Sequence, residues 1–207
     1  MTASAAYWEA RYQAGGTSGA GSYGRLSRFK AGFINAFIES NAVQSVIDMG
    51  CGDGNLLSLL RVRGYIGADV SATVLARCAG RFPQHRFVPF DALERVPPAE
   101  LAMSIDVIFH LIEDAVFADY MDTLFAQAGR FVLIYASNAN LSWPSPHVRH
   151  RCFTDHAAAR FPAWRLAAHV PNRFPFDPLL PDETSFADFY VYTRANEPVS
   201  FEVPAAS

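Results

Sequence analysis

Ser45-Val46-Ile47-Asp48-Met49-Gly50-Cys51-Gly52-Asp53-Gly54-Asn55-Leu56-Leu57 is the stretch whose reading decides the fold. A short β-branched run ends in an acid, three glycines follow at alternate positions, and an apolar segment begins directly after them. That order reads as strand, tight turn and helix start. Glycine at 50, 52 and 54 permits positive φ and leaves no Cβ to hold a ligand away from the backbone amides. Such a turn suits a small molecule.

The glycine spacing separates two ligand classes. A dinucleotide site needs G-x-G-x-x-G, with a small residue where helix crosses strand; here Asn55 holds that place and Gly54 comes one residue early. Asp48 sits badly beside a pyrophosphate and well beside a cationic ligand. Asp48-Met49-Gly50-Cys51-Gly52-Asp53-Gly54 resembles the acid-x-G-x-G-x-G turn of the class I, Rossmann-like, S-adenosylmethionine-dependent methyltransferases. The resemblance implies S-adenosyl-L-methionine as cofactor and S-adenosyl-L-homocysteine as product, held by Asp48, Gly50, Cys51, Gly52, Gly54 and Asn55. An NAD(P)-dependent oxidoreductase shares the architecture but is disfavoured by the glycine spacing. A catalytically silent protein that binds the cofactor and serves a partner is the second alternative.

At 207 residues and 51% hydrophobic, the chain can bury the core of one domain. Its formal charge of -3 supplies no basic field, so no nucleic-acid partner is expected. No apolar run approaches the ~20 residues that span a bilayer, so no membrane partner is expected either. Met1-Thr2-Ala3-Ser4 leads into polar and aromatic residues rather than a signal peptide, and the expected location is cytoplasmic. Cys51, Cys78 and Cys152 lie far apart with no C-x-x-C, which suits free thiols and no structural metal. The oligomeric state is left open.

Residues 1–40 read as an N-terminal helical and glycine-rich lid segment. Tyr7-Trp8-Glu9-Ala10-Arg11-Tyr12 is expected as a short helix over the cofactor cleft. Residues 15–24 are too glycine-rich for a regular element, and long irregular segments inside compact enzymes often act as lids. Tyr23 and Arg25 are its expected substrate contacts. A helix carrying Phe29, Phe33, Ile34, Phe37 and Ile38 at helical spacing then packs on the sheet.

Residues 41–195 read as the Rossmann-like domain and 196–207 as a tail, frayed from Glu197. Residues 55–63 are expected as the first crossover helix, capped by Gly64, followed by a strand over 65–70. Asp69 lies 69 − 48 = 21 positions beyond Asp48, near the ~20-residue offset at which a βαβ unit offers an acid to ribose hydroxyls. Val70 and Ser71 flank the nucleoside, and Ser71 also caps a helix running to Phe82. A third strand over 86–92 ends in Asp91, to which the resemblance assigns the adenine amine, with Phe90 and Ala92 beside the ring.

Residues 104–110 read as a fourth strand with His110 at its cofactor end, Glu113 and Asp114 begin a helix to Gln127, and 131–138 is a fifth strand. Thr154 and Asp155 start a helix ending near Pro162, and strands over 164–170 and 185–193 close the sheet as a hairpin. The expected fold is therefore α/β: a doubly wound, mostly parallel seven-stranded sheet, helices on both faces, with an antiparallel C-terminal hairpin.

The expected activity is O-methylation, by direct in-line transfer, of a polar small molecule: a phosphorylated, nucleotide-linked or carbohydrate acceptor. The pattern is similar to that of small bacterial methyltransferases of polysaccharide or specialised-metabolite modification. His147, Arg149, His150 and Arg151 form a local cationic site, so Arg149 and Arg151 are expected to bind an anionic acceptor. His110 is the first candidate base for a hydroxyl acceptor, also placed to touch the cofactor, with His147 and His150 next. No metal is expected at His147-x-x-His150, since no acid lies near it in sequence.

Overall fold

The computed structural model describes residues 2–200. Two helices open the chain, α1 (Ala3–Gln13) and α2 (Gly24–Ser40), and the alternation β1 (Ser45–Met49), β2 (Gly64–Asp69), α3 (Ala72–Arg81), β3 (Arg86–Pro89) and β4 (Ala99–Ile105) follows. The chain continues through α4 (Asp114–Ala126), β5 (Ala128–Ala136), α5 (Phe153–Arg160), β6 (Trp164–Val170) and β7 (Asp188–Arg194). The strands form a seven-stranded sheet in the order β3-β2-β1-β4-β5-β7-β6. The first five pair parallel with one another, while β7 pairs antiparallel with both β5 and β6. This is the doubly wound sheet with a terminal hairpin that the sequence predicts. Among the described residues, no helix is long and apolar enough to cross a membrane.

Strand alternation explains why both faces are covered. Phe189 on β7 stacks on Phe33 of α2 at 4.2 Å, whereas Tyr190 and Tyr192, pointing the other way, meet Phe153 of α5 and Phe125 of α4. β5 is buried along Phe131–Ala136, as a central strand covered twice must be.

Five boundaries differ from expectation, among them the last strand, which starts at Asp188 rather than at 185. The crossover between β1 and β2 has no α-helix; only a 3-10 turn forms at Leu57–Leu59, and Gly64 opens β2 rather than capping a helix. Nine residues make a marginal helix, and the loop's polar groups are met instead by Asn35 of α2, which donates to the Leu59 carbonyl (2.9 Å) and accepts from the Arg61 amide (2.7 Å). β4 lies earlier than the expected 104–110: it ends at Ile105, and Asp106 takes φ 60° before a 3-10 turn at Ile108–His110. Residues 107–109 are apolar because this turn is packed inward, not because they pair, and an apolar run alone does not distinguish the two. β3 likewise stops at Pro89, so Asp91 and Ala92 sit in a 3-10 turn, and β5 runs over 128–136 rather than 131–138.

The C-terminal segment is docked, not frayed, as far as it is described. Glu197 pairs with Arg130 at 2.6 Å, and the backbone of Ser200 exchanges hydrogen bonds with the Asn41 side chain. The remainder of the expected tail, residues 201–207, lies outside the described residues.

Candidate cofactor cleft

The turn after β1 is fixed from both sides. Gly50 and Cys51 donate their amides to the Ala68 carbonyl of β2, at 2.7 and 3.0 Å. Gly50 and Gly52 have φ of 91° and 54°, and a Cβ on either would collide, with Val107 in the first case and with Ser18 in the second. Only glycine meets both constraints. The turn in turn places Asp69, whose two carboxylate oxygens accept the amides of Gly52 and Ser71, each at 3.0 Å. Ser71 caps α3 as expected, its hydroxyl accepting from the Val74 amide at 3.1 Å.

Asp48 is 3% exposed. One carboxylate oxygen accepts from the Tyr65 hydroxyl at 2.8 Å; the other, Oδ1, is buried with no partner. Burial raises both Asp48 and Asp69 from the ordinary carboxylate value to about 6. An orphaned buried acceptor that costs stability is a feature a bound cation would satisfy.

These groups line one cavity of about 520 Å³, a size usual for a small-molecule site. Its floor follows the sheet order: Asp48, Gly50, Cys51 and Gly52 at the end of β1, Asp69 and Val70 after β2, Phe90 and Asp91 after β3, and Asp106 and Val107 after β4. Phe90 is backed by Tyr120, stacked at 5.5 Å, whose hydroxyl donates to the Met49 carbonyl at 2.7 Å. Trp8 and Tyr12 of α1 form the roof. Residues 15–24 are held down on the glycine turn by Asp53, which accepts from the Ser18 amide (2.8 Å) and the Tyr23 hydroxyl (2.7 Å) while its own amide donates to Ser18 Oγ (2.9 Å).

His110 also lines the cavity. Its Nδ1 lies 3.0 Å from the His147 carbonyl, which can only accept, so Nδ1 carries the proton and Nε2 the lone pair. Burial lowers its pKa to about 4, so the ring is neutral at neutral pH. Tyr7, His147 and His110 stack in series, and Trp8 meets His110 edge-on at 5.0 Å.

Several sequence-predicted residues stand away from the cavity wall. Gly54 packs against Phe82 and Cys78, Asn55 donates to the Ser22 carbonyl, Ser71 serves as the cap, and Ala92 lies in the turn behind Asp91. Tyr23 is bonded to Asp53, and Arg25 to Glu183 with its guanidinium over Phe174. Arg149 and Arg151 both bind Asp114 and the Ile112 carbonyl, and so tie the 147–151 loop to the start of α4 instead of offering a free anion site. His150 is 4% exposed, bonded to Ser137 at 2.6 Å among Trp143 and Phe186. His147 and His150 therefore diverge.

The cavity also holds groups that sequence reasoning missed. Lys30, 2% exposed, binds the Asp106 carboxylate and the Gly21 carbonyl. A signal existed: Lys30, Ile34 and Phe37 share one helical face, so a face that packs on the sheet buries the lysine with it. For Asp106, at the end of β4 in a left-handed backbone, the misplaced strand hid the position.

A parallel sheet with this strand order, a glycine turn at the end of its first strand and an acid at the end of its second define a nucleoside-binding α/β protein. A family model described as Methyltransferase domain matches residues 24–178, and the chain belongs to that family, the class I S-adenosylmethionine-dependent methyltransferases. The trans-aconitate 2-methyltransferase of Rhodopseudomonas palustris (strain BisB5) is 36% identical over 72 residues, which span 33% of this chain and 27% of that protein. The same fold occurs in the magnesium protoporphyrin IX methyltransferase of Synechocystis PCC 6803 with bound SAH (TM-score 0.68, 13% identity, 92% of this chain and 97% of that one). It occurs also in the methyltransferase domain of bacterial CtHen1-C (TM-score 0.63, 21% identity, 82% and 99%) and in the N-methyltransferase NodS of Bradyrhizobium japonicum WM9 (TM-score 0.63, 14% identity, 81% and 94%).

Proposed function

We propose that this chain transfers a methyl group from S-adenosylmethionine to the hydroxyl oxygen of an uncharged polar small molecule, of which a carbohydrate is the model. The convergence of an unpartnered Asp48 oxygen, the glycine turn and Asp69 at one end of a single cavity carries this reading. Bound there, the cofactor supplies a sulfonium methyl that is electrophilic without further activation. Asp48 Oδ1 accepts the amino-acid ammonium, Asp69 accepts ribose hydroxyls through lone pairs that its two amide bonds leave free, and Val70 and Phe90 flank the adenine while Asp91 accepts its amine.

Orientation is the main catalytic device: holding acceptor and donor in line is worth ~7 kcal/mol or more. Trp8, Tyr12 and the lid over residues 15–24 exclude water, and residues 41–195 form the domain they cover. His110 Nε2 takes the hydroxyl proton. As its pKa is near 4, the proton moves late, when the forming C–O bond has made the oxygen acidic.

The charge of the wall favours an uncharged acceptor over the phosphorylated one the sequence suggested. Asp48, Asp53, Asp69, Asp91, Asp106 and Asp119 line the cavity, and among the described residues Lys30 is the one ammonium or guanidinium against them. Thermal-shift titration with S-adenosylhomocysteine and with NADH tests the cofactor: stabilisation by the first alone is expected. Turnover on panels of neutral and phosphorylated sugars tests the acceptor: product from the neutral panel supports the reading, and product from the phosphorylated panel alone overturns it. Binding of the cofactor with turnover on neither panel favours the partner-protein alternative.

A further inference from the structure

We infer that the carboxylate of Asp106 stands at the methyl-transfer end of the cavity and distinguishes the charged cofactor from its uncharged product. The inference rests on the proposed function and concerns a residue to which that reading gave no task.

Three observations place Asp106 there. In the sheet order β3-β2-β1-β4, the adenine and ribose groups belong to the ends of β3 and β2 and the amino-acid group to β1, so the reacting end projects toward β4. Asp106 is the first residue after β4, and its neighbour Val107 packs directly on Gly50, so the two strand ends are in contact. Its backbone is held at φ 60° with its amide donating to the Tyr135 carbonyl at 2.9 Å, a conformation that an ordinary strand end does not require.

The ion pair is oriented as well. Lys30 donates to Asp106 and, at 2.8 Å, to Gly21 O, and its ammonium lies 5.2 Å from the centre of the Tyr135 ring. Both side chains line the cavity, the lysine 2% exposed and the aspartate 20%, so the carboxylate is the more accessible half of the pair. Burying an ion pair costs desolvation that a purely apolar contact would avoid, and here the solvated half of the pair is the anion. S-adenosylmethionine carries a positive sulfur, and S-adenosylhomocysteine, after the methyl has left, a neutral one; the ammonium at the far end is common to both. Asp106 therefore reads the sulfur, while Asp48 reads the ammonium.

Isothermal titration of the full chain with each of the two nucleosides separates these roles. Asp106→Asn, which suits a left-handed backbone equally well, is expected to weaken S-adenosylmethionine by about tenfold and to leave S-adenosylhomocysteine within about twofold. Asp48→Asn is expected to weaken both by the same factor. If both nucleosides bind and the Asp106→Asn ratio equals that of the wild type, the inference is overturned and the proposed function stands; if neither binds the wild type, the proposed function fails and takes the inference with it. Should Asp106→Asn not fold, the double variant Asp106→Asn/Lys30→Met removes the charges together, and a smaller fall in the ratio in the same direction, about threefold, is expected because the more accessible charge is the anion; an unchanged or raised ratio there overturns the inference.

Discussion

Asp48, Gly50, Gly52 and Asp69 reach the cavity from one contiguous β-turn-β stretch, whereas Trp8, Lys30, Asp106 and His110 arrive from separate segments and meet only in the folded chain. The first set is tied together through backbone amides: those of Gly50 and Cys51 on the Ala68 carbonyl, and that of Gly52 on the Asp69 carboxylate. The second is tied by side chains, with Lys30 on Asp106 and His110 on the His147 carbonyl. The proposed ammonium and ribose contacts therefore rest on one local turn, and the proposed base and charge-reading group on side chains from distant segments. On this division, substitutions in the first set weaken binding of both nucleosides strongly, and those in the second change turnover or charge preference with nucleoside binding retained.

The largest effect belongs to Gly52→Val. A branched side chain at φ 54° is strained, and it displaces Ser18 from the turn. Nucleoside affinity is expected to fall beyond detection by calorimetry, more than about a hundredfold, with stability lower by ~2 kcal/mol or more.

Asp48→Asn comes next, with effects of opposite sign on affinity and stability. Loss of a charged hydrogen bond to the ammonium weakens S-adenosylhomocysteine by roughly thirtyfold at pH 7.5. Yet the ligand-free variant is expected to melt higher at that pH, by a few degrees, because a desolvated carboxylate has been removed. The wild-type pH dependence has the same origin. Asp48 and Asp69 titrate near 6 in the folded chain against 3.8 ordinarily, so folding favours their protonated forms. That contribution is complete below pH ~4 and is lost as pH rises through 6. A ligand-free melting temperature that falls from pH 5 to 7, less steeply in Asp48→Asn, is the outcome that agrees.

His110→Asn sharpens the comparison on the acceptor side. It is expected to lower methyl transfer to a neutral sugar by ~10² or more, with nucleoside affinity nearly unchanged. The wild-type rate is expected to stay level from pH 6 to 8 as far as this ring is concerned, since it is neutral throughout that range. His150→Asn, by contrast, leaves the rate intact and costs about 1 kcal/mol of stability through the Ser137 bond. Smallest are the arginines. Arg151→Ala, at 11% side-chain exposure and with bonds to Leu111, Ile112 and Asp114, loses about 1–2 kcal/mol in denaturant melts, and the half-exposed Arg149→Ala less than ~0.5 kcal/mol. Neither changes nucleoside affinity.

The same division governs what the sequence discloses. The glycine turn, Asp69, the Ser71 cap and the strand over 164–170 are local patterns whose physics is complete within a few residues, and each stands where the pattern put it. The crossover over 55–63 read as a helix because its leucines suit one, and the competing influence, the Asn35 side chain, lies about twenty-five positions earlier in the chain. His110 was found for an incomplete reason: it lines the cavity from a 3-10 turn, not from a strand end. The cluster 147–151 looked cationic in one dimension, but Asp114 and two carbonyls, supplied by a distant segment, consume its arginines. Composition near a site is legible; which charges remain unpaired is a tertiary property.

Asp69 and the turn it braces stand at the centre of the proposed nucleoside site. Calorimetric titration of S-adenosylhomocysteine into wild type and Asp69→Ala, with folding of both verified, measures this directly. Binding by the wild type and a loss of about a hundredfold in the variant are predicted. Equal affinity in the two proteins, or a folded wild type that binds NADH and not the thioether nucleoside, would contradict it.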